Sequence, residues 1–76
     1  MATEDPWARK ARGLIKGELK RREVSYQQLA ERLAGMGVAE TPASIANKIS
    51  RGAFTAAFLL QCMEAIGCHT LRLEDA

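Results

Sequence analysis

The sequence predicts an all-α fold of four helices followed by a short extended segment. Apolar residues recur at helical spacing in four stretches, about 6–22, 26–35, 42–51 and 56–66. A residue suited to cap a helix N-terminus, either Asp, Ser or Thr, stands at the start of each stretch. Residues 69–74 instead alternate with the two-residue period of a strand. With 76 residues, 47% of them hydrophobic, the chain is predicted to form a single domain over its whole length.

The first predicted helix begins at Asp5-Pro6, where a capping carboxylate precedes proline at the first helical position. Its inner stripe is expected to include Trp7, with the indole in the core or closing one edge of it; the alternative is that the indole stacks on a base or a sugar. Basic residues occupy its other faces and its last turn, where cations interact favourably with the helix dipole. They are Arg9, Arg12, Lys16, Lys20, Arg21 and Arg22.

The second predicted helix carries the densest set of start signals. Ser25 and Gln28 stand at the spacing of a capping box, and Val24 and Leu29 at that of a hydrophobic staple. Glycines in the turn at 35–37 favour a helix end there, because glycine readily adopts left-handed backbone geometry.

The third predicted helix begins at Thr41-Pro42 and ends at Gly52, with Ile45 and Ile49 on its inner face. Its polar and basic residues are predicted to point away from that face. A glycine-bearing turn between two short helices, the second of which presents such groups, is typical of a helix-turn-helix. An ordinary helical hairpin in a small bundle has the same caps and stripes, so both interpretations fit this local pattern.

Further residues of this stretch occur in a familiar order: Leu29-Ala30, then Gly37-Val38, Ser44-Ile45 and a terminal Gly52. In this order they resemble the Cro/cI-type (lambda-repressor-like) helix-turn-helix, and the following segment is similar to that family's next helix. The turn before the third helix is longer here than in that family, which can re-aim the helix. The whole chain also resembles a family of short bacterial domains of unknown function. That resemblance implies a fold and a bacterial source but no activity.

The formal net charge of +2 is spread unevenly along the chain. Between Trp7 and Arg51 there are ten basic and four acidic residues, so this part carries +6. The remaining residues contain five acids and one base. A local excess of this kind is typical of a surface that binds a polyanion, although charge runs also occur on helix faces that are merely solvated.

The predicted partner is double-stranded DNA, read in the major groove by the helix at 42–51, as in a small transcriptional regulator. Base contacts are expected from the outward residues of that helix, because asparagine pairs with adenine, lysine with guanine, and alanine with the thymine methyl group. These are Ala43, Ser44, Asn47 and Lys48. Phosphate contacts are expected from basic and polar residues around the helix-turn-helix. These are Lys20, Arg21, Arg22, Tyr26, Gln27, Arg32 and Arg51.

An alternative function is a protein-interaction module that keeps the helix-turn-helix shape without reading DNA. The long turn favours it, as does the third helix, which is short and contains the small or apolar residues Pro42, Ala43 and Ala46. Met36, Val38 and the C-terminal leucines would form its contact surface. The segment at 69–74 has two possible arrangements. It pairs with the same strand of a second copy to give a homodimer, or Leu71 and Leu73 fold back onto the first helix.

Catalysis, cofactors and metals are not expected from this sequence. The single histidine, His69, has no nucleophile or phosphate-loop motif around it. Cys62, Cys68 and His69 lack the paired spacing and the fourth ligand of a structural zinc site. The first residues are polar and acidic rather than apolar, and with two cysteines the expected compartment is the cytoplasm.

Overall fold

The computed structural model describes residues 5–75 and confirms the all-α class. The four helices are α1 (Pro6–Arg21), α2 (Tyr26–Gly35), α3 (Pro42–Arg51) and α4 (Ala56–Ala65). Leu73–Asp75 form a short 3-10 turn, and the described part of the chain contains no strand. None of its helices has the length and apolar character needed to cross a membrane.

Each helix begins at the capping residue that the sequence predicts. The side chains of Asp5, Ser25, Thr41 and Thr55 accept hydrogen bonds from backbone amides in the first turns of the four helices. The capping box of α2 is complete, because the Gln28 side chain also accepts from the Ser25 amide. These bonds are local, so the start of each helix does not depend on contacts with distant parts of the chain.

The core lies where all four helices meet. Its largest fully buried side chains come from every helix, so no pair of helices forms a separate unit. They are Ile15, Leu29, Leu33, Ile45, Ile49 and Cys62. The turn between α2 and α3 is ordered by the same core, because Val38 packs against it and the Val38 amide bonds the carbonyl of Leu33 at 2.9 Å.

The C-terminal end of α3 packs closely against the first turns of α1. Gly52 ends α3 in the left-handed conformation with φ +65°, and a Cβ atom built there would lie 2.2 Å from the carbonyl oxygen of Ala8. One turn further along α1, Arg12 Nη1 donates to the carbonyl oxygen of Ser50 at 3.1 Å. This close approach positions one flank of α1 beside the end of α3.

The prediction that Trp7 belongs to the core is wrong. Its side chain is 75% exposed. The backbone of Ala8, rather than the indole of Trp7, contacts the end of α3. Gly52 has no side chain, so its backbone lies directly against the carbonyl group of Ala8. Adjacent helix residues are separated by about 100°, so Trp7 is turned away from this contact.

The C-terminal segment differs from the predicted alternating strand. Residues 69–72 have no regular structure, and the turn at Leu73–Asp75 contacts α1. Leu71 packs against the core, whereas Leu73 is 62% exposed. The segment therefore folds back as in the second of the two arrangements at Leu71, whereas Leu73 is not packed inward as that arrangement expects.

Glu18 is a buried charged residue, and its hydrogen bonds connect α1 to the end of α4. It accepts hydrogen bonds from Arg21 and Arg22, and Arg22 Nη1 also donates to the carbonyl oxygen of Ile66 at 3.3 Å. The hydrogen bond and the charge of Arg21, with a further hydrogen bond from Arg22, lower the pKa of Glu18 below 4.5 despite its burial.

We expect the stabilisation from Glu18 to depend on pH. Because the folded-state pKa is lowered, the contribution is present above 4.5 and is lost as the pH falls below it. Glu18→Gln should thus lower the free energy of unfolding at neutral pH and have less effect in acid, measured by urea denaturation. Glu31→Gln, at an exposed position of α2, is the matched control. An equal effect of Glu18→Gln at both pH values would contradict this role.

Candidate nucleic-acid interface

The outward face of α3 consists of four exposed residues. Because successive residues are separated by about 100°, positions opposite the buried Ile45 and Ile49 share this face. They are Ala43, Asn47, Ser50 and Arg51, all exposed to solvent. Asn47 lies near the middle of the face, and Arg51 follows it one turn later. The outward face therefore carries two of the predicted base-contact residues, Ala43 and Asn47, and a third, Lys48, is also exposed but lies beside this face.

The other two predicted base-contact residues lie on the flank of α3 and bind Glu40. Ser44 Oγ donates to Glu40 Oε1 at 2.6 Å and also completes the capping box with Thr41. Lys48 Nζ donates to Glu40 Oε2 at 2.5 Å. The last residue of the long turn before Thr41 therefore engages both side chains within the molecule.

Lys48 is held on a second side by an aromatic ring. Its ammonium group lies 5.0 Å from the centroid of the Phe58 ring, within the range of a cation–π interaction. Hydrogen bonds from Lys48 first and Ser44 second lower the pKa of Glu40, so the carboxylate is ionised at neutral pH. With Glu40 on one side and Phe58 on the other, the ammonium group of Lys48 faces α4 and the turn before α3. The nearby Cys62 thiol has a pKa raised to about 12 by burial, with a smaller effect of the Glu40 charge.

A basic flank of α1 continues the outward face of α3. Four cations follow one another along α1 at intervals of three and four residues, so they occupy a single flank. They are Arg9, Arg12, Lys16 and Lys20. The hydrogen bond from Arg12 to the carbonyl of Ser50 joins this flank to α3. We call the combined set the α1–α3 surface: these four residues with Ala43, Asn47, Ser50 and Arg51.

Three cations of the α1–α3 surface have no ion-pair partner within residues 5–75. They are Lys16, Lys20 and Arg51, and all three are exposed. The one acid within α1, Glu18, lies on its buried side. Exposed cations of this kind attract polyanions, and salt screens that attraction.

The remaining predicted phosphate contacts are distributed over other parts of the domain. Arg21 and Arg22 bind Glu18, as described above. Tyr26 is half-buried against the core, and this burial raises the pKa of its hydroxyl. Gln27 is exposed, with its amide 3.4 Å from Glu31, and Arg32 is exposed on α2. Of the predicted phosphate contacts, only Lys20 and Arg51 therefore fall on the α1–α3 surface.

A protein-family model described as a domain of unknown function, DUF6471, matches residues 7–71. The chain belongs to this family. The match confirms the resemblance to a short domain of unknown function and covers every member of the α1–α3 surface. No curated protein and no solved structure matches the chain.

Four members of the surface of this DUF6471 domain were not among the predicted contacts: Ser50 on α3 and three cations of α1, Arg9, Arg12 and Lys16. The spacing of the cations by three and four residues was visible in the sequence and indicated a shared flank. The sequence did not indicate that this flank lies beside α3, because that depends on the contact between Gly52 and Ala8. The role of Glu40 had no sequence signal, since it depends on the path of the turn.

Proposed function

We propose that the domain binds double-stranded DNA through the α1–α3 surface and acts as a transcriptional regulator. The observation that supports the proposal most is a set of exposed cations, Lys16, Lys20 and Arg51, which have no ion-pair partner within residues 5–75 and lie beside an outward helix face centred on Asn47. Phosphates are the most abundant anionic groups of DNA, and lysine and arginine side chains are their usual partners. The residue order at 29–52, which in the sequence resembles the Cro/cI-type helix-turn-helix, favours the same function, although the family match is to DUF6471 and not to that repressor family.

The residues have distinct roles in this proposal. Asn47 lies where its amide can pair with an adenine edge in the major groove, and Ala43 can contact a thymine methyl group. Arg51 and the cations of α1 contact the phosphates on one side of the groove. Phosphate contacts orient the protein, whereas sequence preference comes from the few side chains that reach bases.

Salt-dependent titration of labelled random-sequence duplex DNA tests the proposal. Each phosphate contact adds about 0.9 to the magnitude of the slope of log affinity against log salt. Three contacts from Lys16, Lys20 and Arg51 thus give a slope of about −3 or steeper. Selection from random sequences would then define the site. Absence of binding at low salt, or binding that does not change with salt, would contradict the proposal.

A protein-interaction module is the second candidate, and the exposed apolar side chains favour it. Trp7, Met36, Leu60 and Leu73 are all large, hydrophobic and accessible. Trp7 and Leu73 also belong to segments that contact one another, since the C-terminal turn packs on α1. A homodimer through residues 69–74 would use Leu73. Sedimentation analysis of the wild type and of Leu73→Ser, without DNA, measures whether a dimer forms and whether it needs this side chain.

A further inference from the structure

The turn before α3 carries an acidic side chain, Glu40, which binds two side chains of α3 that were predicted to contact DNA bases. Only 9% of the Glu40 side chain is exposed, and both carboxylate oxygens receive hydrogen bonds from α3. One oxygen binds Ser44 and the other binds Lys48. These two donors lie on the flank of α3, next to its outward face.

We propose that Glu40 determines specificity by withholding Ser44 and Lys48 from DNA. Base reading is thereby confined to the outward face of α3, with Asn47 as its central residue. This inference rests on the proposed DNA-binding function. It goes further by assigning Glu40 a positioning role and by excluding Lys48 from the contacts of the wild-type protein.

The charges around Lys48 account for this effect. Its ammonium group contacts a carboxylate on one side and the Phe58 ring on the other, with the ring centroid at 5.0 Å. The Lys48 side chain is 45% exposed, so a phosphate can approach it from solvent, but the ammonium group would then be shared with the Glu40 carboxylate and the phosphate would approach that negative charge. In the wild type, the gain from a Lys48–phosphate contact is therefore offset by the weakening of the ion pair and by repulsion from Glu40.

Glu40→Gln tests the proposal because glutamine keeps the shape and an acceptor oxygen for Ser44 while the negative charge is lost. Lys48 is then available to DNA. We expect the salt slope to become steeper by about 0.9, with an affinity gain on the order of tenfold at low salt. Selection from random sequences should show an added preference at one position. Glu31→Gln, on the exposed face of α2, changes the net charge equally and should leave slope and preference as in the wild type.

Replacement of Lys48 separates this positioning role from a general effect of charge. Glu40→Gln combined with Lys48→Met should have the wild-type slope, because the released cation is absent. Lys48→Met alone should change affinity less than about twofold, since that ammonium group does not contact DNA in the wild type. This single variant also tests the proposal if Glu40→Gln fails to fold, as judged by circular dichroism.

The outcomes distinguish this inference from the proposed function. If no variant binds DNA at any salt concentration, the DNA-binding function itself is overturned. If the wild type binds but Glu40→Gln behaves like Glu31→Gln, only the role of Glu40 is overturned. A loss of about tenfold in Lys48→Met, the size expected when a base or phosphate contact is removed, would likewise overturn it.

Discussion

Gly52→Ala is expected to destabilise the domain more than replacement of any other glycine with positive φ. At φ +65° a side chain is strained, and its Cβ would lie 2.2 Å from the oxygen and 2.7 Å from the carbon of the Ala8 carbonyl group. Backbone cannot move aside as a flexible side chain can, so α1 and α3 must separate. We expect a loss of roughly 3 kcal/mol or more in the free energy of unfolding, measured by urea denaturation. A domain of this size has a small total stability, so much of the population would unfold.

Gly67→Ala is the matched control for the close approach. Gly67 also has positive φ, at +71°, but no atom lies within 4 Å of the Cβ position. This variant has only the conformational strain and should lose about 1–2 kcal/mol. Equal losses in the two variants would contradict the account, because they would show that the contact with Ala8 adds nothing to the strain.

Charge reversal at Lys16 and Arg51 together is expected to abolish most DNA binding. One residue comes from α1 and the other from α3, so the pair tests whether both helices contribute to one surface. Loss of two phosphate contacts flattens the salt slope by about 2 units, and the new carboxylates repel the phosphates. We expect the affinity of Lys16→Glu/Arg51→Glu for duplex DNA to fall by at least about 100-fold at low salt.

Lys10→Glu/Arg72→Glu is the matched control for net charge. It changes the net charge by the same amount as the first pair, but Lys10 lies on another flank of α1 and Arg72 pairs with Glu74 in the C-terminal segment. Its affinity should fall much less, with little change of salt slope. Equal losses for the two pairs would mean that DNA responds to the overall charge of the protein and not to the α1–α3 surface.

The helices were predictable from the sequence because their signals are local. The capping residues Ser25 and Thr41 lie within three residues of the amides they bind, and Gly52 ends α3 by its own backbone preference. Such interactions are the same in any tertiary context. The bounds of α2 and α3 therefore agree with the predicted ranges.

The position of Trp7 and the path of the C-terminal segment were not predictable in this way. The helical stripe of α1 includes Trp7, but its first turn contacts α3 through the backbone of Ala8, and this contact depends on a glycine far along the chain. The alternation at 69–74 predicted a strand, yet burial of Leu71 on the core outweighs that weak preference. Both outcomes depend on long-range packing, which periodicity does not encode.

The candidate site was predictable in part for the same reason. The exposure of Asn47 and Arg51 follows from helical geometry once the buried face is known. The orientation of Lys48 does not, because it depends on where the turn places Glu40. The sequence also did not show that the α1 cations lie beside α3; only the structure did.

Chemical-shift mapping of backbone and Asn47 side-chain amides during titration with duplex DNA would show which residues bind it. If the α1–α3 surface binds DNA, the largest changes occur at Asn47, Ser50 and Arg51 and along the flank of α1 that carries Arg12 and Lys16. The C-terminal turn should be little affected. Changes concentrated around Trp7 and Leu73, or an absence of changes at low salt, would contradict the claim that the α1–α3 surface binds DNA.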